Sequence, residues 1–154
     1  MEQVERIQMR GHLEILLKDF KGREIEKRSI NNVVVTAGRR WVLQQIESSD
    51  INTAQSISYL AIGTGTAAPA TSDSALGSET TRKAIGTFTT SNLTSNPPSW
   101  RAEVSYATNE GNTTLAEAGL FNSSAAGTMF NRATFTTLNK TTSNTLTVRF
   151  TVSN

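Results

Sequence analysis

The chain has 154 residues, 36% of them hydrophobic, which suits one domain with a core of its own. It has no Cys, one His and a formal net charge of +2. That excludes disulfides and thiolate metal sites, and leaves little for acid–base or metal chemistry. Lys and Arg are interspersed with Asp and Glu, which argues against a nucleic-acid partner, and no apolar run reaches the ~20 residues that cross a bilayer.

The opening Met1-Glu2-Gln3-Val4-Glu5-Arg6 is acidic and polar, unlike a secretory signal. Ile7, Met9, Leu13, Ile15 and Leu17 then fall on odd positions, with Gln8, Arg10, His12, Glu14 and Leu16 between them, the period of a half-buried strand. Lys18 to Arg23 reads as a turn, and Glu24 to Val35 as a returning strand that completes a hairpin. Thr36 is a candidate helix cap, with a helix predicted over 37–47 and Val42, Leu43 and Ile46 facing inward.

Composition shifts near residue 50. The first fifty residues hold nine of the fifteen Lys and Arg and only one Thr, Thr36. This predicts a charged hairpin or arm over 1–28 and a β-rich body over 30–154, within a single domain. In the body, Ile57 to Ile62 reads as a buried strand, followed by a loop forced by Gly63, Gly65 and Pro69. Ser72-Asp73 could cap one helical turn through Leu76. Further strands are predicted at 82–94, at Trp100–Tyr106, at Leu115–Phe121, at Thr128–Thr137 and at Thr145–Val152. The last alternates most clearly, with Leu146, Val148, Phe150 and Val152 inward. The sum is a mainly β chain: an antiparallel β-sandwich or barrel-like domain with one short helix and an N-terminal hairpin.

Little in the chain assembles into a catalytic site. Gly63-Thr64-Gly65 lacks the third Gly of a dinucleotide loop and the Gly-Lys-Ser/Thr of a P-loop, so these are turn glycines. His12 lies on the polar phase of its strand, where solvation is the ordinary state. Ser72 and Asp73 have no His after them and no nucleophile elbow. Neither an enzyme nor a cofactor or metal is expected. Glu117 sits among Ala116, Ala118, Gly119, Leu120 and Phe121. It is either an exposed edge carboxylate or a buried one paired with Arg82 or Arg132. The aromatic residues are spread along the chain as core residues are, although a loop Trp such as Trp100 also suits a sugar surface.

Several short motifs occur in order: Asn31-Asn32-Val33-Val34-Val35-Thr36-Ala37-Gly38; Ile62-Gly63-Thr64-Gly65-Thr66-Ala67-Ala68-Pro69; Ser72-Asp73-Ser74-Ala75-Leu76 with Arg82 following; Glu117-Ala118-Gly119-Leu120-Phe121-Asn122; and Arg132-Ala133-Thr134-Phe135 with Lys140 following. Over roughly residues 30–154 this series resembles virion structural proteins of tailed bacteriophages, both capsid cement or decoration proteins and tail- or fibre-associated proteins. The resemblance implies a β fold and a place in the virion, assembled in the host cytoplasm. The implied partners are the major capsid protein and further copies of the chain, as a homotrimer, with no nucleic acid and no membrane. It leaves a tail or fibre attachment role open, receptor binding included. The hairpin supplies the candidate contact residues Ile7, Met9, Arg10, Leu13, Arg23 and Arg28. Glu117, Arg82, Arg132, Gly63, Gly65, Gly119 and Phe150 are candidate structural residues.

Overall fold

In chain order the elements are β1 (Arg10–Asp19), β2 (Glu24–Val34), α1 (Thr36–Glu47), β3 (Tyr59–Gly63), β4 (Glu79–Ala84), β5 (Thr87–Thr89), β6 (Ser99–Tyr106), β7 (Thr114–Phe121), β8 (Met129–Asn139) and β9 (Asn144–Ser153). The structure, a computed structural model, describes residues 8–47, 56–89 and 97–153. The expected contributions of Ile7, of the Ile46 side chain and of the strand end at 90–94 lie outside the described residues.

The strands pair antiparallel in the order β4-β3-β7-β8-β2-β1-β9-β6-β5. One arm of this curled sheet holds β2, β1, β9, β6 and β5; the other holds β4, β3, β7 and β8. Among the described residues, strand pairing passes from one arm to the other where Val33 and Val34 of β2 pair with Arg132 and Asn131 of β8. A single core lies between the arms. Leu13, Ile15, Leu17, Val104, Tyr106, Leu146, Val148 and Phe150 come from the first arm, and Leu60, Ile62, Leu115, Leu120 and Phe130 from the second. The Tyr106 hydroxyl donates to the Leu60 carbonyl at 3.0 Å, a polar tie across that core. Burial pushes the phenol's pKa well above its ordinary value.

The alternation of β9 is realised in full, with Leu146, Val148, Phe150 and Val152 buried. Phe150 is fully buried between Leu13 of β1 and Ala102 of β6. Phe150→Ala is expected to lower unfolding stability in urea by about 3–5 kcal/mol, because a cavity replaces the ring.

Three local expectations give way. The charged hairpin is not an arm set beside a separate body: its strands, from Arg10 on, are part of the one sheet. β1 lies between β2 and β9, in register with β9 from Arg10↔Ser153 to Asp19↔Asn144. Its Leu13, Ile15 and Leu17 are core residues. Leu43 does not face inward: it is 64% exposed, while Trp41 and Val42 cover Phe130 and the neighbouring core. Thr36 is not the helix cap. The first helical bond runs from the Arg39 N–H to the Val35 carbonyl, and the Thr36 N–H donates instead to Thr71 of the loop after β3. Gly38 lets the helix approach, since a Cβ there would collide with the Phe130 carbonyl.

Candidate contact surface and its buried anchor

β7 is buried on both faces from Leu115 to Phe121, although it belongs to an antiparallel sheet. Its inner face meets the main core. Its outer face lies under the loop 64–78, where Val35, Ala61, Leu76, Phe121 and Met129 form a second small core. Glu117 is on that outer face, opposite Gly63 and two residues before Gly119, which faces Ala61 and Arg132.

Glu117 is fully buried and receives more hydrogen bonds than an exposed carboxylate keeps. The Gly65 and Ser78 N–H groups donate to Oε1 at 3.0 and 2.7 Å, and the Gly77 N–H donates to Oε2 at 2.9 Å. Arg132 Nε donates to Oε2 at 2.9 Å. Of the two arginines considered for this carboxylate, Arg132 is the partner. Its guanidinium continues outward to Asp73 at 2.7 Å and to the Ala67 carbonyl at 3.1 Å. Gly65 must lack a side chain here, since a Cβ would lie 2.5 Å from Glu117 Oε1. Burial alone would raise the Glu117 pKa. The bonds from Ser78, Gly77, Arg132 and Gly65 outweigh it and hold the carboxyl below its ordinary range.

Arg82 anchors a different loop. It forms a bidentate pair with Glu79 at 2.9 and 2.6 Å, and lies 3.7 Å over the Phe121 ring. It donates to the carbonyls of Ser123 and Ala126, and Ala126 has a left-handed φ of 50°. The two arginines thus fix the loops that follow β3 and β7. The helical turn predicted at Ser72–Leu76 does not form; the chain turns at Thr71-Ser72, closed by the Asp73 N–H to the Ala70 carbonyl at 3.1 Å and the Ala70 N–H to Asp73 Oδ2 at 2.9 Å.

The outer face of the β1-bearing arm is polar and crossed by a row of alternating charge. Lys27 of β2 pairs with Glu14 of β1 at 2.9 Å, Glu14 with Arg149 of β9 at 2.7 Å, and Arg149 with Glu103 of β6 at 2.5 Å. The pKa of Glu14 is lowered by Lys27 and Arg149, and that of Arg149 is raised by Glu103 and Glu14. Thr145, Thr147 and Thr151 flank the row on β9, and His12 is bonded to Ser29 at 2.9 Å. The hairpin tip beyond it presents Phe20, 76% exposed, beside Lys21, Arg23 and a half-exposed Ile25.

Of the candidate contact residues, Arg10 and Arg23 are exposed, with Arg23 held by Asp19 at 2.7 Å. Arg28 is half-buried and paired with Glu26, and Met9 is half-buried against the core. Leu13 is wholly buried, so it cannot touch a partner. Met9 also lines an apolar cavity of about 570 Å³ with Trp41, Phe88, Trp100 and Phe130, whose rings meet edge-on or tilted at 5.9–6.3 Å. One charged residue of the motif series, Lys140, has no expected structural role in the sequence and is wholly buried. Its place in a polar turn between two strands gives no sign of that burial.

Among the described residues, no group of three His, Cys, Asp or Glu could hold a metal ion, and no helix is long and apolar enough to cross a membrane. No family model matches the chain, and no curated protein or solved structure is significantly similar to it.

Proposed function

We propose that the chain is a structural protein of a tailed-phage virion, a cement protein that binds the major capsid protein and stabilises contacts between capsid subunits. The observation that supports this is where the resemblance motifs meet. Gly63-Thr64-Gly65, Asp73, Glu117 and Arg132 converge on one buried carboxylate that clamps a loop onto a sheet. Their chemistry is that of a brace: Glu117 is enclosed by donors and has no room for a substrate. The polar outer face of the β1-bearing arm and its hairpin tip are then the contact surface, with copies of the chain associating as a trimer at threefold positions of a shell. Contacts through such charges weaken as salt rises.

The test is to add purified protein to capsids stripped of it, and to count copies on native particles. Saturation in proportion to capsid subunits, with binding weakened by Phe20→Ser or Arg23→Glu and by added salt, is the expected result. Copies in proportion to tails, and no binding to stripped heads, would move the protein to the tail or fibre reading that the same motifs allow.

A further inference from the structure

Lys140 follows β8 directly, in the turn to β9. Its backbone N–H bonds the Thr113 carbonyl at 3.0 Å, which joins this turn to the one between β6 and β7. Its side chain is 1% exposed. Nζ lies 2.7 Å from the Ala107 carbonyl, 3.2 Å from the Asn144 carbonyl and 2.9 Å from the side-chain carbonyl oxygen of Asn112. The Asn112 Nδ2 donates in turn to the Thr108 carbonyl at 2.8 Å, which fixes the carboxamide's orientation. No carboxylate pairs with Lys140 among the described residues. The closest acidic influence is Glu110, itself held by Lys83 and by the Ala107 N–H.

A buried lysine nitrogen is thus held against the Asn112 carboxamide, 2.9 Å from its oxygen. We propose that Lys140 and Asn112 are the two halves of an intramolecular isopeptide bond. Nζ first gives up its ammonium proton to solvent and its hydrogen bond to Oδ1, and then attacks Cγ of Asn112 with the freed lone pair; the new Nζ–Cγ bond forms as the Cγ–Nδ2 bond breaks. The departing nitrogen leaves as ammonia and takes up the proton that Nζ loses in the attack. No oxidant, reductant or cofactor enters the balance. Burial favours the uncharged amine that the attack requires, and lowers the Lys140 pKa. Asn112 is an exposed residue, so ammonia has a way out to solvent. The bond would close a loop of roughly 30 residues and tie the β6–β7 turn to the β8–β9 turn, a restriction of the unfolded chain like that of a disulfide but indifferent to reductant. For a chain without Cys this is the covalent brace its composition still permits.

Mass spectrometry of the intact folded protein decides the matter. The expected mass lies about 17 Da below that of the sequence, the ammonia lost on amide formation, and a tryptic digest contains one branched peptide joining Asn112 to Lys140. Asn112→Ala and Lys140→Arg should each restore the full sequence mass of their own variant. The Ala variant serves if the Arg variant fails to fold. Wild-type protein that holds its full sequence mass after long incubation in the folded state overturns the proposal and leaves Lys140 a hydrogen-bonded ammonium. So does a 17 Da loss that persists in Asn112→Ala.

Discussion

Glu117→Ala unfolds at markedly lower urea than the wild type, by about 3–5 kcal/mol of stability, because removing one partner strands the other in a buried place. Arg132 keeps Asp73 and the Ala67 carbonyl but loses its buried carboxylate, and the Gly65, Gly77 and Ser78 N–H groups lose their acceptor together. The damage is directional. The loop 64–78 should exchange its amide hydrogens quickly in the variant, while β1 and β9 stay protected. The sign of the pH dependence follows from the lowered carboxyl pKa. The stabilisation by Glu117 is complete above the ordinary glutamate value of about 4.3 and drains away as pH falls through the lower folded value. Glu117→Gln should therefore flatten the acid limb of the stability profile measured by denaturant unfolding. An acid limb identical to wild type would mean that the cradle does not bind the ionised form more tightly than the neutral one.

Deleting residues 1–28 is expected to abolish folding. The deletion removes β1 from between two neighbours and takes Leu13, Ile15 and Leu17 out of the core. Burying three such side chains stabilises by roughly 5–9 kcal/mol, against a total of about 5–15 kcal/mol for a whole domain. β9 would be left with one bare edge along ten register positions. Circular dichroism and urea unfolding of the truncated chain measure this; a cooperative transition near that of the full chain would make β1 dispensable.

These two expectations mark where the sequence could be read and where it could not. Alternation in β1, β6 and β9 was legible because one face of each meets a single core. The neighbour of β1 was not legible. A period of two says that one face is buried, and says nothing of which strand lies alongside, so an interior strand reads like an arm. Glu117 was narrowed to two arginines by its apolar surroundings. The choice between them depended on the loop 64–78 folding back over β7, a long-range event. Leu43 is exposed because Trp41 and Val42 already cover that part of the core. The division of the predicted 82–94 strand into β4 and β5 turns on Ile85-Gly86, where the chain passes from one arm of the sheet to the other.

The register of β1 against β9 carries a consequence for biosynthesis. Leu13 waits for Phe150, and Ile15 for Val148, so residues made early complete their pairing only with residues made late. Pairings this distant in sequence are slow to form. During translation the apolar edge of β1 has only β2 to lean on, and a two-stranded hairpin is marginal alone in water. The nascent chain therefore carries an unsatisfied strand until β9 clears the ribosome, which makes chaperone supply a condition that favours its recovery in folded form.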